Sequence, residues 1–140
     1  MLKFSIFVIA FLLPSYTAPR QSKDAPMTEH ATGPFEVKLT PLEPANKTDD
    51  NSLGRMSIDK QFHGDLEATS KGEMLTGGDI RKGSGGYVAI ERVSGSLHGR
   101  IGTFILQHNA TMDHNTPHLN IIVVPDSGTG QFVGLTGTMN

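Results

Sequence analysis

From Arg55 to Glu73 every odd-numbered residue is polar. The even positions from Met56 to Met74 read Met, Ile, Lys, Phe, Gly, Leu, Ala, Ser, Gly, Met. A strand sends successive side chains to opposite faces, whereas a helix groups residues three and four apart. A helix over this segment would mix the two sets, so the segment reads as strand. Parity does not change across Gly64 or Gly72. Two forms follow: one long strand bent at Gly64, or two strands joined by a turn that keeps register. Glycine kinks of this kind let a sheet curl into a barrel.

The same period recurs elsewhere. Phe35, Val37 and Leu39 alternate with Glu36, Lys38 and Thr40, and Pro41 and Pro44 mark the end of that strand. "ANKTDDNSLG" reads as a polar loop and "TGGDIRKGSGG" as a turn-rich one. "YVAIERVSG" places Tyr87, Ala89, Glu91 and Val93 on one face. "RIGTFILQHNATM", "PHLNIIVVPDSG" and "QFVGLTGTM" read as further strands, and no helical period occurs. Six or seven short strands separated by glycine turns predict an all-β fold, a small antiparallel barrel or sandwich. Gly95–Phe104 and Gly130–Met139 share the form G-x-Φ-x-G-x-x-G-T-Φ, where Φ is a large apolar residue. Two copies are too few for a solenoid and predict a strand–turn–strand device used twice.

At 140 residues the chain suffices for one domain, expected over residues 33–140. It has no cysteine, which excludes disulfides, thiol nucleophiles and cysteine-bound metal. The net charge of −2 comes without a basic stripe, so nucleic acid is not an expected partner. Residues 1–19 have a signal-peptide layout: Lys3, an apolar run from Phe4 to Leu13, then Pro14 and small residues. That run is shorter than the roughly 20 apolar residues needed to span a bilayer. The expectation is export to the periplasm or medium, with no stable membrane insertion after cleavage, and a linker over residues 20–32. The alternative is a cytoplasmic protein started at Met27.

Sites of chemistry are sparse. "GSLHGRIG" lacks both the spacing and the following helix of a phosphate loop, and no G-x-S-x-G elbow occurs. His108, Asp113 and His114 are weak candidates for a metal. Pro117 and the flanking strands deny His114 and His118 a helical spacing, and a solvated polar hairpin is the favoured explanation of the segment. No cofactor is expected. Asn46-Lys-Thr48 and Asn109-Ala-Thr111 match the N-glycosylation pattern, which arises often by chance. Lys60 stands out because it shares the face of Met56, Ile58 and Phe62, where an ammonium needs a partner. Glu91, on the face of Tyr87 and Ala89, is the natural one. Gln107 and His108 lie on opposite faces, so one of them joins the interior. Lys60, Phe62, Tyr87, Glu91, Gln107 and His108 are therefore the candidate cavity residues.

Four stretches in order, "ATGPFEVKLTPLEP", "GRMSIDKQFHGDLEATSKGEML", "GYVAIERVSGSLHGRIGTFILQH" and "VVPDSGTGQFVGLTGTM", resemble the bacterial family called domain of unknown function 3224. The resemblance implies a calycin-like antiparallel barrel similar to allene oxide cyclase. The family continues for about two strands beyond "GLTGTM", so the chain is expected to lack its last strands. Open edges would then favour a homo-oligomer. A fold implies no reaction, and the catalytic residues of allene oxide cyclase match no named position here. Three functions stay open: a barrel binding a small hydrophobic ligand, an isomerase or cyclase acting on a hydrophobic substrate, and a structural or oligomerising protein without ligand.

Overall fold

The computed structural model describes residues 2–12, 28–44, 46 and 52–140, with residues 2–12 as backbone. The strands are β1 Leu2–Leu12, β2 Thr28–Leu42, β3 Leu53–Phe62, β4 Leu66–Asp79 and β5 Ser84–Leu97. They continue with β6 Arg100–Asp113, β7 Thr116–Val123, β8 Thr129–Gly130 and β9 Thr136–Met139. A single 3₁₀ turn, Ile80–Lys82, is the one helical element among the described residues. All pairings are antiparallel. Strands β2 to β7 and β9 make a curled half-barrel. The backbone of β1 pairs with β2 on one side and β9 on the other, and β5 also pairs with β6.

The alternating segment resolves into two strands rather than one bent strand. β3 and β4 pair from Leu53↔Gly77 to Phe62↔Ala68, and the chain turns at Gly64, whose φ is +99°. The even-numbered side chains of both strands face inward, as their parity predicts: Ile58, Phe62, Leu66, Ala68 and Met74 are buried. Gly72 is inward as well, directly opposite Glu91. A Cβ there would stand 2.2 Å from the Ile90 carbonyl oxygen and 2.6 Å from Glu91 Cβ. The missing side chain is what lets β5 lie across β4 with Glu91 turned inward. Gly72→Ala should therefore lower the unfolding free energy by about 1–3 kcal/mol, read as a lower urea midpoint.

"SGSLHGRIGTFILQH" spans the β5–β6 hairpin. Leu97 pairs with Arg100, and His98 (φ 48°) and Gly99 (φ 77°) make the two-residue loop. Positive φ at both positions is the turn whose twist matches that of the flanking strands. The expected second copy of this device does not form. β8 pairs with β6, β9 pairs with β7 and β1, and residues 131–134 are a turn between them. Phe132 and Leu135 from this connection are fully buried and plug one end of the sheet. The Phe132 ring meets Phe104 edge-on, centroids 5.6 Å apart. The shared glycine pattern therefore serves two different backbones.

The segment read as a linker also differs in part. β2 starts at Thr28, and Ala31 is fully buried in the core. β2 passes through Pro41 and ends at Leu42. The expected signal cleavage region, the alternative start at Met27 and most of the polar loop near residue 48 lie outside the described residues.

Candidate functional site

The interior has two parts. The larger is a packed apolar base containing Phe62, Leu66, Val93, Phe104, Leu106 and Phe132. The smaller is a cluster of Ile58, Met74 and Ala89, covered by half-buried Val37, Met56 and Tyr87. Leu39, opposite Ile58 and so on the same face, is 44% exposed. These residues of the base are all buried, whereas the second cluster has half-buried and exposed neighbours.

Polar side chains from four consecutive strands meet at the boundary. Lys60 on β3 stands directly opposite Ser70 on β4. Ser70 pairs with Val93, which places Glu91, two residues before Val93 on β5, diagonally beside it. His108 on β6 pairs with Ala89, again one diagonal step from Glu91. Diagonal neighbours on one sheet face come within reach of long side chains. Lys60 Nζ donates to Glu91 Oε1 at 2.7 Å, and His108 Nε2 lies 2.6 Å from the same oxygen. Ser70 Oγ donates to Glu91 Oε2 at 2.6 Å. Glu91 is 0% exposed and His108 4%. The Lys60 ammonium also lies 5.4 Å from the Phe35 ring centroid and 5.8 Å from that of Phe62, within cation–π range.

Two opposed effects set the charge of Glu91. Burial pushes its carboxyl up, but the His108 imidazole against it and the positive charge of Lys60 outweigh that and hold the group at about 2, against an ordinary 4.5. Glu91 is therefore a buried carboxylate. Burial and the negative charge of Glu91 together raise the half-buried Tyr87 phenol above its usual value. A carboxyl depressed on folding adds stability that is complete above its unfolded value and is lost as pH falls through its folded one. The wild type should thus lose about 3 kcal/mol between pH 4.5 and 2 from this group alone. Urea unfolding across that range should show a steeper acid slope than in Glu91→Gln; equal slopes would mean that Glu91 is not an ionised partner in the fold.

Lys60, Phe62, Tyr87, Glu91 and His108 thus share the inner face. Gln107 does not: it is exposed on the outer face, where it lines a shallow groove of ≈ 770 Å³ with Leu75, Val88 and Ile90. The interior position of the Gln107–His108 pair goes to His108. The suggested metal ligands are not brought together. His108 is five strand residues from Asp113, roughly 16 Å at strand rise. Asp113 and His114 pair with each other at the exposed β6–β7 tip. Among the described residues no group of three histidine or acidic side chains is placed to hold a metal. Ser70 is the member of the cluster that residue-type reasoning passed over. Its signal was parity, since it sits on the same even face as Lys60.

Comparison with known proteins gives this geometry a family. The profile described as "Protein of unknown function (DUF3224)" matches residues 31–140. The chain belongs to the DUF3224 family. A crystal structure of a DUF3224 protein of unknown function from Shewanella oneidensis MR-1 is similar at 50% identity, with a TM-score of 0.72. The likeness covers 77% of this chain and 81% of that one. The curated proteins contain no match. Lys60, Ser70, Glu91 and His108 all lie within the DUF3224 match.

Proposed function

We propose that this DUF3224 protein binds a small apolar molecule at the open end of its curled sheet. The observation that carries the reading is the boundary itself. A buried ion cluster borders an apolar cluster whose covering residues Val37, Met56 and Tyr87 are only half-buried, with Leu39 exposed beside them. An ion cluster serving stability alone is weak value for its desolvation cost, since apolar residues of similar volume do as well or better. Placed under a solvent-reaching apolar wall of Val37, Met56 and Tyr87, it gives a ligand both a surface to cover and a fixed polar point to orient against.

The test is direct. Native mass spectrometry of the protein from its own host should show a co-purified small apolar molecule, one per chain. The purified chain should bind n-butylbenzene saturably, and Met56→Asp should weaken that binding about tenfold or more by setting a carboxylate on the wall. Non-saturable uptake, or affinity indifferent to Met56→Asp, would remove the reading.

A further inference from the structure

We infer that the gap between β2 and β9 is a strand-acceptor site and that its occupant is residues 2–12 of the same chain, which close the curled sheet into a barrel. The reading is independent of any ligand near the ion cluster.

Every strand has two hydrogen-bonding edges, and an open one is a template for pairing. β2 gives one edge to β3, and β9 gives one to β7. The other edge of each meets β1, and β2 and β9 do not pair directly among the described residues. Four residues of β1 pair with both at once. Ile9 stands opposite Ala31 and Met139, and Ala10 opposite His30 and Thr138. Phe11 stands opposite Glu29 and Gly137, and Leu12 opposite Thr28 and Thr136. Paired strands lie about 4.8 Å apart, so β2 and β9 are about 10 Å apart there, too far to bond each other. The gap admits one strand and no more. With β1 in it, the pairing of β5 with β6 completes a ring.

The gap also specifies what fills it. Ala31 and Met139, on its two sides, are buried in the larger apolar cluster. Directly opposite residues of a ladder share a sheet face, so the position between these two belongs to the inner face, and Ile9 takes it. Further along β2, Phe35 and Val37 pack against the two apolar clusters and stand opposite Phe4 and Leu2. A register shift between Phe4 and Phe7 makes this possible. Without it Ser5 and Lys3 would stand opposite Phe35 and Val37, since a slip of one residue exchanges the faces. With it Lys3, the one charged residue of the segment, stands opposite Glu36. An irregularity at the one place that keeps the apolar set on the inner face is the mark of a fitted strand. A chain deprived of residues 2–12 would present both edges, spaced for one apolar strand of another chain.

The chain has no cysteine, so introduced pairs report without background. The test uses the full-length chain, its first residues verified by intact mass. Ala10→Cys with Thr138→Cys should form an intramolecular disulfide on mild oxidation, because register partners lie within disulfide reach. Ala10→Cys with Ile101→Cys, on β6 three strands away around the ring, should not. Stability gives a second reading of the same strand. Ile9→Asp should lower the urea midpoint by about 1 M or more, through a carboxylate set between Ala31 and Met139. Val8→Asp, opposite exposed Thr32, should lower it by less than about 0.3 M. Where Ile9→Asp fails to fold, the disulfide still decides. Crosslinking of the Thr138 pair no faster than that of the Ile101 pair overturns the inference. Disulfides formed only between chains overturn the intrachain occupant in favour of a second copy. Equal midpoints for Ile9→Asp and Val8→Asp overturn the fitted register.

Discussion

Glu91→Ala is expected to cost about 3–5 kcal/mol of unfolding free energy, more than any change at the sheet surface. The loss is less that of the carboxylate's own contacts than of what it leaves behind. Lys60 Nζ, on a side chain 9% exposed, would keep its charge with no anion nearby. The Ser70 hydroxyl and His108 Nε2 would each lose the oxygen they face. Removing one partner of a buried pair is far costlier than removing all of them, because the orphaned charge stays desolvated. The combination Lys60→Met, Glu91→Leu should therefore recover much of the loss. Urea unfolding of the single and double variants checks this. If Glu91→Ala alone unfolds at the wild-type midpoint, the cluster is solvated and not buried.

Phe62→Ala should cost about as much, roughly 3–5 kcal/mol, for an unrelated reason. Phe62 is fully buried at the end of β3, in the apolar base. Its ring tilts against Phe35, centroids 5.8 Å apart, and lies beside the Lys60 ammonium. Truncation loses the transfer free energy of the ring and leaves a cavity that a hydrogen-bonded sheet closes poorly. It also removes one of the two rings that flank Lys60 and opens the ion cluster to water. The stability loss should thus come with weaker ligand binding. Phe104→Ala, at the far end against Phe132, should match it in stability and spare binding. Unfolding midpoints and n-butylbenzene titrations of the two variants separate the two effects.

How far each feature was legible depends on how one-sided its strand is. From Arg55 to Glu73, over most of β3 and β4, the odd face is wholly polar, so parity alone names the inner residues, Lys60 among them. On β5 the run Tyr87, Ala89, Glu91, Val93 likewise marks Glu91 as inward once Val93 is taken as core. On β6 both faces carry large apolar residues, Phe104 and Leu106 on one and Ile101 and Ile105 on the other. The alternation there cannot say whether Gln107 or His108 is inside; packing against β5 and β7 decides it. Ser70 was on the right face, but a small hydroxyl in such a row gives no sign of its partner. The glycine echo misleads for a related reason. Glycine permits many backbones, and what a copy becomes depends on which strands are free to pair with it.

The sequence by itself determined the period-two pattern, the all-β class and the shared inward face of Lys60 and Glu91. Those are properties of single strands, set by sterics along the backbone and by the preference of apolar side chains for the dry side. Only the tertiary structure decided that Lys60, Ser70, Glu91 and His108 meet. Lys60 and Glu91 are 31 residues apart in the chain. Their approach depends on the register of β3 on β4 and of β4 on β5, and on the space left at Gly72. A slip of one residue in either ladder would turn one partner outward. That register is selected by the packing of the whole core, which no single stretch of the sequence contains.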